Sequence, residues 1–316
     1  MPTHLLHPAK LLALLPLITT VLSAGVAFQC NGQRDHMFHQ DCATAANELV
    51  LSLTREDGRV HIPNDDVMHS YMNCEATLEA TGGEKIDQGS AILLSFAQIG
   101  ARCQEGSFTY PSNTIKGNLK GAANWKREGP SIKRVKRALS APLRFLRREM
   151  QDTIAPQQLG QLQRRSDMMA ARKGYNGQTY RLMLDSAHGV PELSPTSPDV
   201  SSMFFQRSRE QLQHHFTKED TSDLVFGNAY PIKGGTHVSV ITLGVKLRGS
   251  QTSWKEFVQS QNDSGKTIKE LITDGLSMFT SNQYVAAYFH VLDGNNRQVF
   301  SFMIYGYDSV DSPLPA

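Results

Sequence analysis

Beyond Cys103 the 316-residue chain has no cysteine. Its four cysteines, Cys30, Cys42, Cys74 and Cys103, all stand in the first third. Their wide spacing lacks the close Cys pairs that a zinc module needs, so a metal-clasped fold is excluded. Apolar runs are equally scarce. Only Leu11–Leu22 is sustained, and at about 12 residues it falls short of the ~20 needed to cross a bilayer. Catalytic signatures are missing too: there is no G-x-S-x-G elbow and no H-E-x-x-H pair. Gly265-Lys266-Thr267 has Ser260 where a phosphate-binding loop requires its first glycine, which leaves a helix N-terminus as the reading. His214-His215 are adjacent on an amphipathic pattern and so point to different faces, which argues against a shared metal. No cofactor or metal is called for.

The first 27 residues have the layout of a secretory leader. Lys10 precedes the apolar run, and Ser23, Ala24, Gly25 and Ala27 follow it as small residues at a cleavage site. A secreted, extracellular product meets oxidising conditions, so the cysteines are expected in two structural disulfides. Asn262-Asp-Ser264 is a glycosylation sequon.

Charge divides what remains. Residues 28–125 carry 7 basic and 12 acidic groups, residues 126–173 carry 13 and 4, and residues 174–316 carry 11 and 14. The flanks have the apolar periodicity of folded domains, whereas the middle has Pro130, Pro142, Pro156 and a glutamine-rich run, as a linker does. The expected plan is therefore a leader (1–27), a disulfide-bonded α+β domain (28–125), a dibasic-rich linker (126–173) and a cysteine-free α+β domain (174–316).

In the first domain, Phe28 and Cys30 alternate on a strand, and Asp41 looks like the N-cap of a helix bearing Cys42, Ala46, Leu49, Val50 and Leu53 on one face. "EDGRVHI" leads into a short strand, and "VMHSYMNCEATLE" alternates as one strand. Asp87 caps a second helix with Ile92, Phe96 and Ile99 inward, and a last strand lies around Ser107–Tyr110. This β-α-β-β-α-β order predicts a small α/β sandwich, an antiparallel sheet covered by two helices. If the first and third strands are neighbours, Cys30–Cys74 and Cys42–Cys103 are the favoured bridges. The nested pairing Cys30–Cys103 with Cys42–Cys74 stays open.

The second domain repeats that order without cysteines. "QTYRLMLD", "DLVFGNAY" and "THVSVITLGVKL" read as strands. Phe205, Leu212 and Phe216 mark one helix. Ser253 and Glu256 form a capping box, and Ile268, Leu271, Ile272 and Phe279 mark a further helix. A final hairpin turns at Asp293-Gly294-Asn295-Asn296. Its sheet offers His237, His290 and Arg297 as the groups a ribonuclease-like hydrolase would use for proton transfer and phosphate contact.

The basic middle arranges its charge as dibasic pairs: Lys126-Arg127, Lys133-Arg134, Lys136-Arg137, Arg147-Arg148 and Arg164-Arg165. They do not follow one helix face, and Trp125 and Phe145 are the only aromatics at hand. Nucleic acid is therefore not the expected partner. Behind a secretory leader, such pairs in an exposed segment are cleavage sites for a kexin-type processing protease.

Phe28-x-Cys30, Asp41-Cys42-x-x-Ala45 opening a helix, Asn73-Cys74-x-Ala76 in a strand and a helix running to Cys103 resemble the viral killer toxins of smut fungi. They also resemble the wider killer-toxin-like effectors of plant-associated fungi. The resemblance covers residues 28–110; the present chain has fewer cysteines and a larger second domain. It implies a secreted precursor cut into two chains that act by binding a host or competitor protein or membrane target, without enzymatic chemistry. A ribonuclease-like hydrolase and a surface-binding structural module are the alternatives. Association of the two cut domains with each other is left open.

Overall fold

The computed structural model describes residues 26–32, 36–103, 105–111, 114–122, 167–195, 197–217, 223–232, 237–249, 253–261 and 263–310. The leader up to residue 25, the dibasic pairs from Lys126-Arg127 to Arg164-Arg165 and the sequon asparagine Asn262 lie outside them.

The fold is α+β with antiparallel sheets. The first half runs β1 (Ala27–Gly32), α1 (His36–Leu53), β2 (Arg59–Ile62), β3 (Val67–Tyr71), β4 (Cys74–Ala80), β5 (Lys85–Gln88), α2 (Gly89–Arg102), β6 (Glu105–Thr109) and β7 (Ile115–Gly121). The second runs β8 (Asp167–Lys173), β9 (Thr179–His188), α3 (Pro198–Phe216), β10 (Leu224–Ile232), β11 (His237–Leu247), α4 (Trp254–Gln261), α5 (Lys266–Ser281), β12 (Ala286–Leu292) and β13 (Gln298–Asp308). The second sheet thus opens at Asp167, inside the stretch expected to be linker.

The strand orders reveal a repeat. The first sheet is β1-β6-β7-β4-β3, and the second is β10-β11-β13-β12-β9-β8. Setting β9, α3, β10, β11, α5, β12 and β13 against β1, α1, β3, β4, α2, β6 and β7 makes the two orders identical, with the β2–β5 pair added in the first half and β8 and α4 in the second. The halves stack head to tail. Helices α1 and α2 cover the inner face of their own sheet. With their opposite side they cover the back of the second sheet: α1 lies over β10 and β11, and α2 over β9, β12 and β13. Helices α3, α4 and α5 cover the far face of the second sheet.

This stacking explains the burial patterns. Strand β4 alternates between buried and half-buried residues, as a sheet with one open face should, whereas β11 and β13 are buried almost without interruption. Along β13, Met303, Tyr305 and Tyr307 join the core facing α1 and α2, while Phe300, Phe302 and Ile304 join the core facing α3 to α5. The first core therefore draws side chains from both halves.

Several local expectations hold. The Ser253 hydroxyl accepts from the Glu256 amide at 3.1 Å. Gly265 opens α5 with φ 75°, and the Asp263 carboxylate caps the Thr267 amide at 3.2 Å. The final hairpin turns where expected, its Asn296 amide donating to the Asp293 carbonyl at 3.1 Å. His215 is buried against Trp254.

Others are corrected. The single strand read through "VMHSYMNCEATLE" is a hairpin, because Met72 takes φ 48° and folds β3 back onto β4. Period-two alternation continues across so tight a turn, and so hides it. Strand β7 was not anticipated. Asp41 lies inside α1 rather than capping it, and its carboxylate accepts the Asn73 amide at 3.2 Å. The N-cap of α2 is Gln88 rather than Asp87. Phe204, not Phe205, is buried in α3, together with Leu212 and Phe216.

The favoured disulfides are also overturned. The bridges are Cys30–Cys103 and Cys42–Cys74, with Cα separations of 5.3 and 4.9 Å. Cys30–Cys74 with Cys42–Cys103 required β1 beside the strand carrying Cys74, but β6 and β7 lie between them. Strand β1 instead pairs with β6, which starts two residues after Cys103, and Cys42 in α1 lies over the start of β4.

Trypsin tests this pairing directly, since Arg34, Arg55, Arg59, Lys85, Arg102 and Lys116 place the four cysteines on four different peptides. Non-reducing peptide mapping is expected to yield the Cys30 peptide joined to that of Cys103, and the Cys42 peptide joined to that of Cys74. Recovery of the Cys30 peptide with that of Cys74 would refute the fold of the first half.

Candidate functional site

Helix α1 is buried nearly all round: Cys42, Ala43, Thr44, Ala45, Ala46 and Asn47 are each essentially inaccessible. A helix with no solvent face is one layered between two partners. Its small residues let two sheets approach it. The same holds for α2, where Gly89, Ser90, Ile92, Leu93, Phe96, Ala97, Ile99 and Gly100 are buried. A Cβ on Gly100 would stand 2.5 Å from the Tyr307 hydroxyl, and one on Gly244 would stand 2.9 Å from Leu51. The seam between the halves is thus fitted at the scale of single methyl groups.

Polar groups fix its register. The Asn47 amide donates to the Thr242 hydroxyl at 2.8 Å, and Thr242 donates on to the Tyr305 carbonyl at 3.0 Å. At the start of α2, Ser90 donates to Ser186 at 2.8 Å, and His188 Nδ1 lies 2.9 Å from the Ser90 hydroxyl. Burial lowers the His188 pKa, with Asp87 opposing. A neutral imidazole that donates through Nδ1 fits this chain of hydroxyls.

Where α1 ends, its sequence supplies no basic residue in the last turn. The second half supplies them. Lys246 Nζ donates to the Leu51 carbonyl at 3.2 Å, and Arg248 Nη2 donates to the Thr54 carbonyl at 3.1 Å. Arg248 Nε also donates to Ser301. Carbonyls at and just beyond the helix end, together with the negative end of the helix dipole, therefore meet cations from across the seam. Burial lowers the Lys246 pKa even with Asp223 beside it.

An open cleft of about 590 Å³ lies at this edge of the seam, between the loop after α1 and the end of β11. Several of its ionic groups are paired. His61 sits between Glu84 (2.9 Å) and Asp57 (3.3 Å), and Arg55 holds Glu84 at 2.8 Å. Lys246 lies 3.5 Å from Asp223. These ion pairs each stay within one half, and the cleft is bridged by the Lys246 and Arg248 hydrogen bonds to the Leu51 and Thr54 carbonyls.

The three residues singled out in the second sheet are not brought together. His237 opens β11, its Nδ1 3.1 Å from the Ser309 carbonyl. His290 pairs with Ser301 on β13, roughly 25–30 Å further along that strand. It shares the inner face with Tyr288, opposite Phe289, and burial holds its pKa down to about 4. Arg297 lies in the turn beyond, its guanidinium gripping Asp293 at 2.9 and 3.0 Å. Sequence reasoning missed the seam residues Asn47, Ser90, His188, Thr242, Lys246 and Arg248. No sequence signal marks them, because Thr44 and Asn47 read as the ordinary polar face of an amphipathic α1, and only the second sheet covers that face.

Replacing Arg248 by methionine keeps the aliphatic stem and removes two hydrogen bonds from a buried cation, so Arg248→Met should lower the unfolding free energy by about 2–3 kcal/mol. Chemical denaturation of the full chain checks this; an unchanged midpoint would contradict the capping role. Native His290 titrates near 4 and unfolded histidine near 6.5, so its contribution is present above pH 6.5 and is lost as pH falls toward 4. His290→Gln is expected to flatten that acid limb by about 1–3 kcal/mol, read as the difference between variant and parent across pH 7 to 4.

No family model matches the chain, and no curated protein matches it. Among solved structures, the tandem DUF26 ectodomain of the Arabidopsis thaliana cysteine-rich receptor-like protein PDLP5 aligns over 89% of this chain and 98% of that one. The identity is 10% and the TM-score 0.20, too loose to carry an argument. Among the described residues no helix is long and apolar enough to cross a membrane.

Proposed function

We propose that the chain is a secreted effector or killer-toxin-like precursor, matured by a kexin-type protease in its basic middle segment and acting by binding a host or competitor protein or membrane target. One observation carries the reading. The chain crosses from the first sheet to the second once, between Gly121 and Asp167, and no strand of either half is inserted into the other's sheet. The dibasic pairs from Lys126-Arg127 to Arg164-Arg165 all fall within that crossing. Cuts at Lys136-Arg137, and at Lys133-Arg134, Arg147-Arg148 or Arg164-Arg165, therefore leave every strand pairing and both disulfides intact.

Two further facts support it. Both disulfides are formed, which suits export to an oxidising space. The excess of positive charge is confined to the crossing, so neither folded half offers a phosphate-binding field of its own.

Expression in a host that secretes through kexin should give two chains on a denaturing gel. N-terminal sequencing should place the second chain's start after one of the dibasic pairs. Changing Lys136→Ala with Arg137→Ala should abolish or displace the cut. A single intact chain from the unaltered gene would refute processing. Absence of any response when the folded product is added to host or competitor cells would count against the toxin reading.

A further inference from the structure

We infer that the mature product is a two-chain complex: after the cut, the first half stays seated, without any covalent link, on the back of the second half's sheet. This deepens the processing reading and rests on it for its biological setting.

The argument begins with what separation would expose. The inner face of the second sheet carries Val240, Tyr288, Met303, Tyr305 and Tyr307, none more than 0% exposed in the folded body. Helices α1 and α2 meet it with buried Leu51, Ala97 and Gly100 and with the buried polar groups Thr44, Asn47 and Ser90. Parting the halves would present an aromatic sheet face and two helix backs to water at once, the kind of contiguous apolar patch that marks an interaction surface. Both disulfides lie within the first half, so the attachment is apolar burial plus hydrogen bonds.

The partner is specified as well as held. Gly100 and Gly244 leave room for one counterpart each, Tyr307 and Leu51. Asn47 meets Thr242, and Ser90 meets Ser186. Lys246 and Arg248 close the carbonyl end of α1 from outside its own half. A stranger to this sheet would leave those buried groups unsatisfied. The open ends of the stack differ in kind. Glu75, Thr77, Glu79, Lys116 and Lys120 face outward from the first sheet and are not buried. Polar end faces stop a head-to-tail stack from growing, so the complex has two members.

The test uses the full chain carrying a site-specific protease sequence inserted between Lys136 and Arg137, so that it does not depend on kexin recognition. After cutting, size-exclusion chromatography with light scattering at micromolar concentration is expected to show one species with the summed mass of both chains. Two peaks of the separate masses would overturn the inference, while leaving the processing reading to stand or fall on N-terminal sequencing. Gly100→Ala sharpens the result. Alanine favours a helix over glycine, so α2 gains locally, yet its methyl collides with Tyr307 across the seam. The cut variant is expected to dissociate at least about tenfold more readily than the cut parent, and Lys116→Ala on the outer face should match the parent. A cut Gly100→Ala protein as tightly associated as the parent would show that the contact is not the one holding the chains.

Discussion

The rest of the structure depends on the burial of one surface, the inner face of the second sheet, beneath α1 and α2. A sheet that carries Tyr288, Met303, Tyr305 and Tyr307 on one side and Phe289, Phe300, Phe302 and Ile304 on the other cannot face water on either. Helices of its own half cover one side. Only the first half can cover the other, and its helices have the small residues that allow two sheets to approach them from opposite sides.

The same topological unit therefore plays two roles. In the first half the sheet is an outer layer and the helices are internal; in the second the sheet is internal and the helices are outer. Outer elements alternate or are amphipathic, as in β4 and α3, whereas internal elements are buried nearly throughout: β13 mostly by apolar residues, and α1 with polar Thr44 and Asn47 buried as well. The division extends to covalent chemistry. A sheet with one covered face buries less, and the half containing it carries both disulfides. Their sequence separations of 73 and 32 correspond to about 3–4.5 kcal/mol each in lost chain entropy. The second half, covered on both faces of its sheet, holds together without any.

Electrostatics follows that frame. Helix α1 ends with no cation of its own, and the missing partners arrive as Lys246 and Arg248 on the next layer. Asp41, whose pKa burial raises to about 6, takes its hydrogen bond from the Asn73 amide, beside the Cys42–Cys74 bridge. Ionisable groups at the seam mostly tie elements together. The histidines picked from sequence as catalytic candidates lie far apart on one sheet, because residues that share a strand face need share neither its end nor its depth.

The sequence by itself determined the class of fold, most helix and strand positions, the capping at Ser253 and the final hairpin turn, because each depends on residues within a few positions of one another. All four cysteines also lie in the first half. Only the tertiary structure decided the strand order that sets Cys30 against Cys103, the Met72 reversal that an unbroken alternation disguised, and the stacking of one half on the other. Those depend on which surfaces meet. Periodicity records that a face is buried, and only the assembled layers show what buries it.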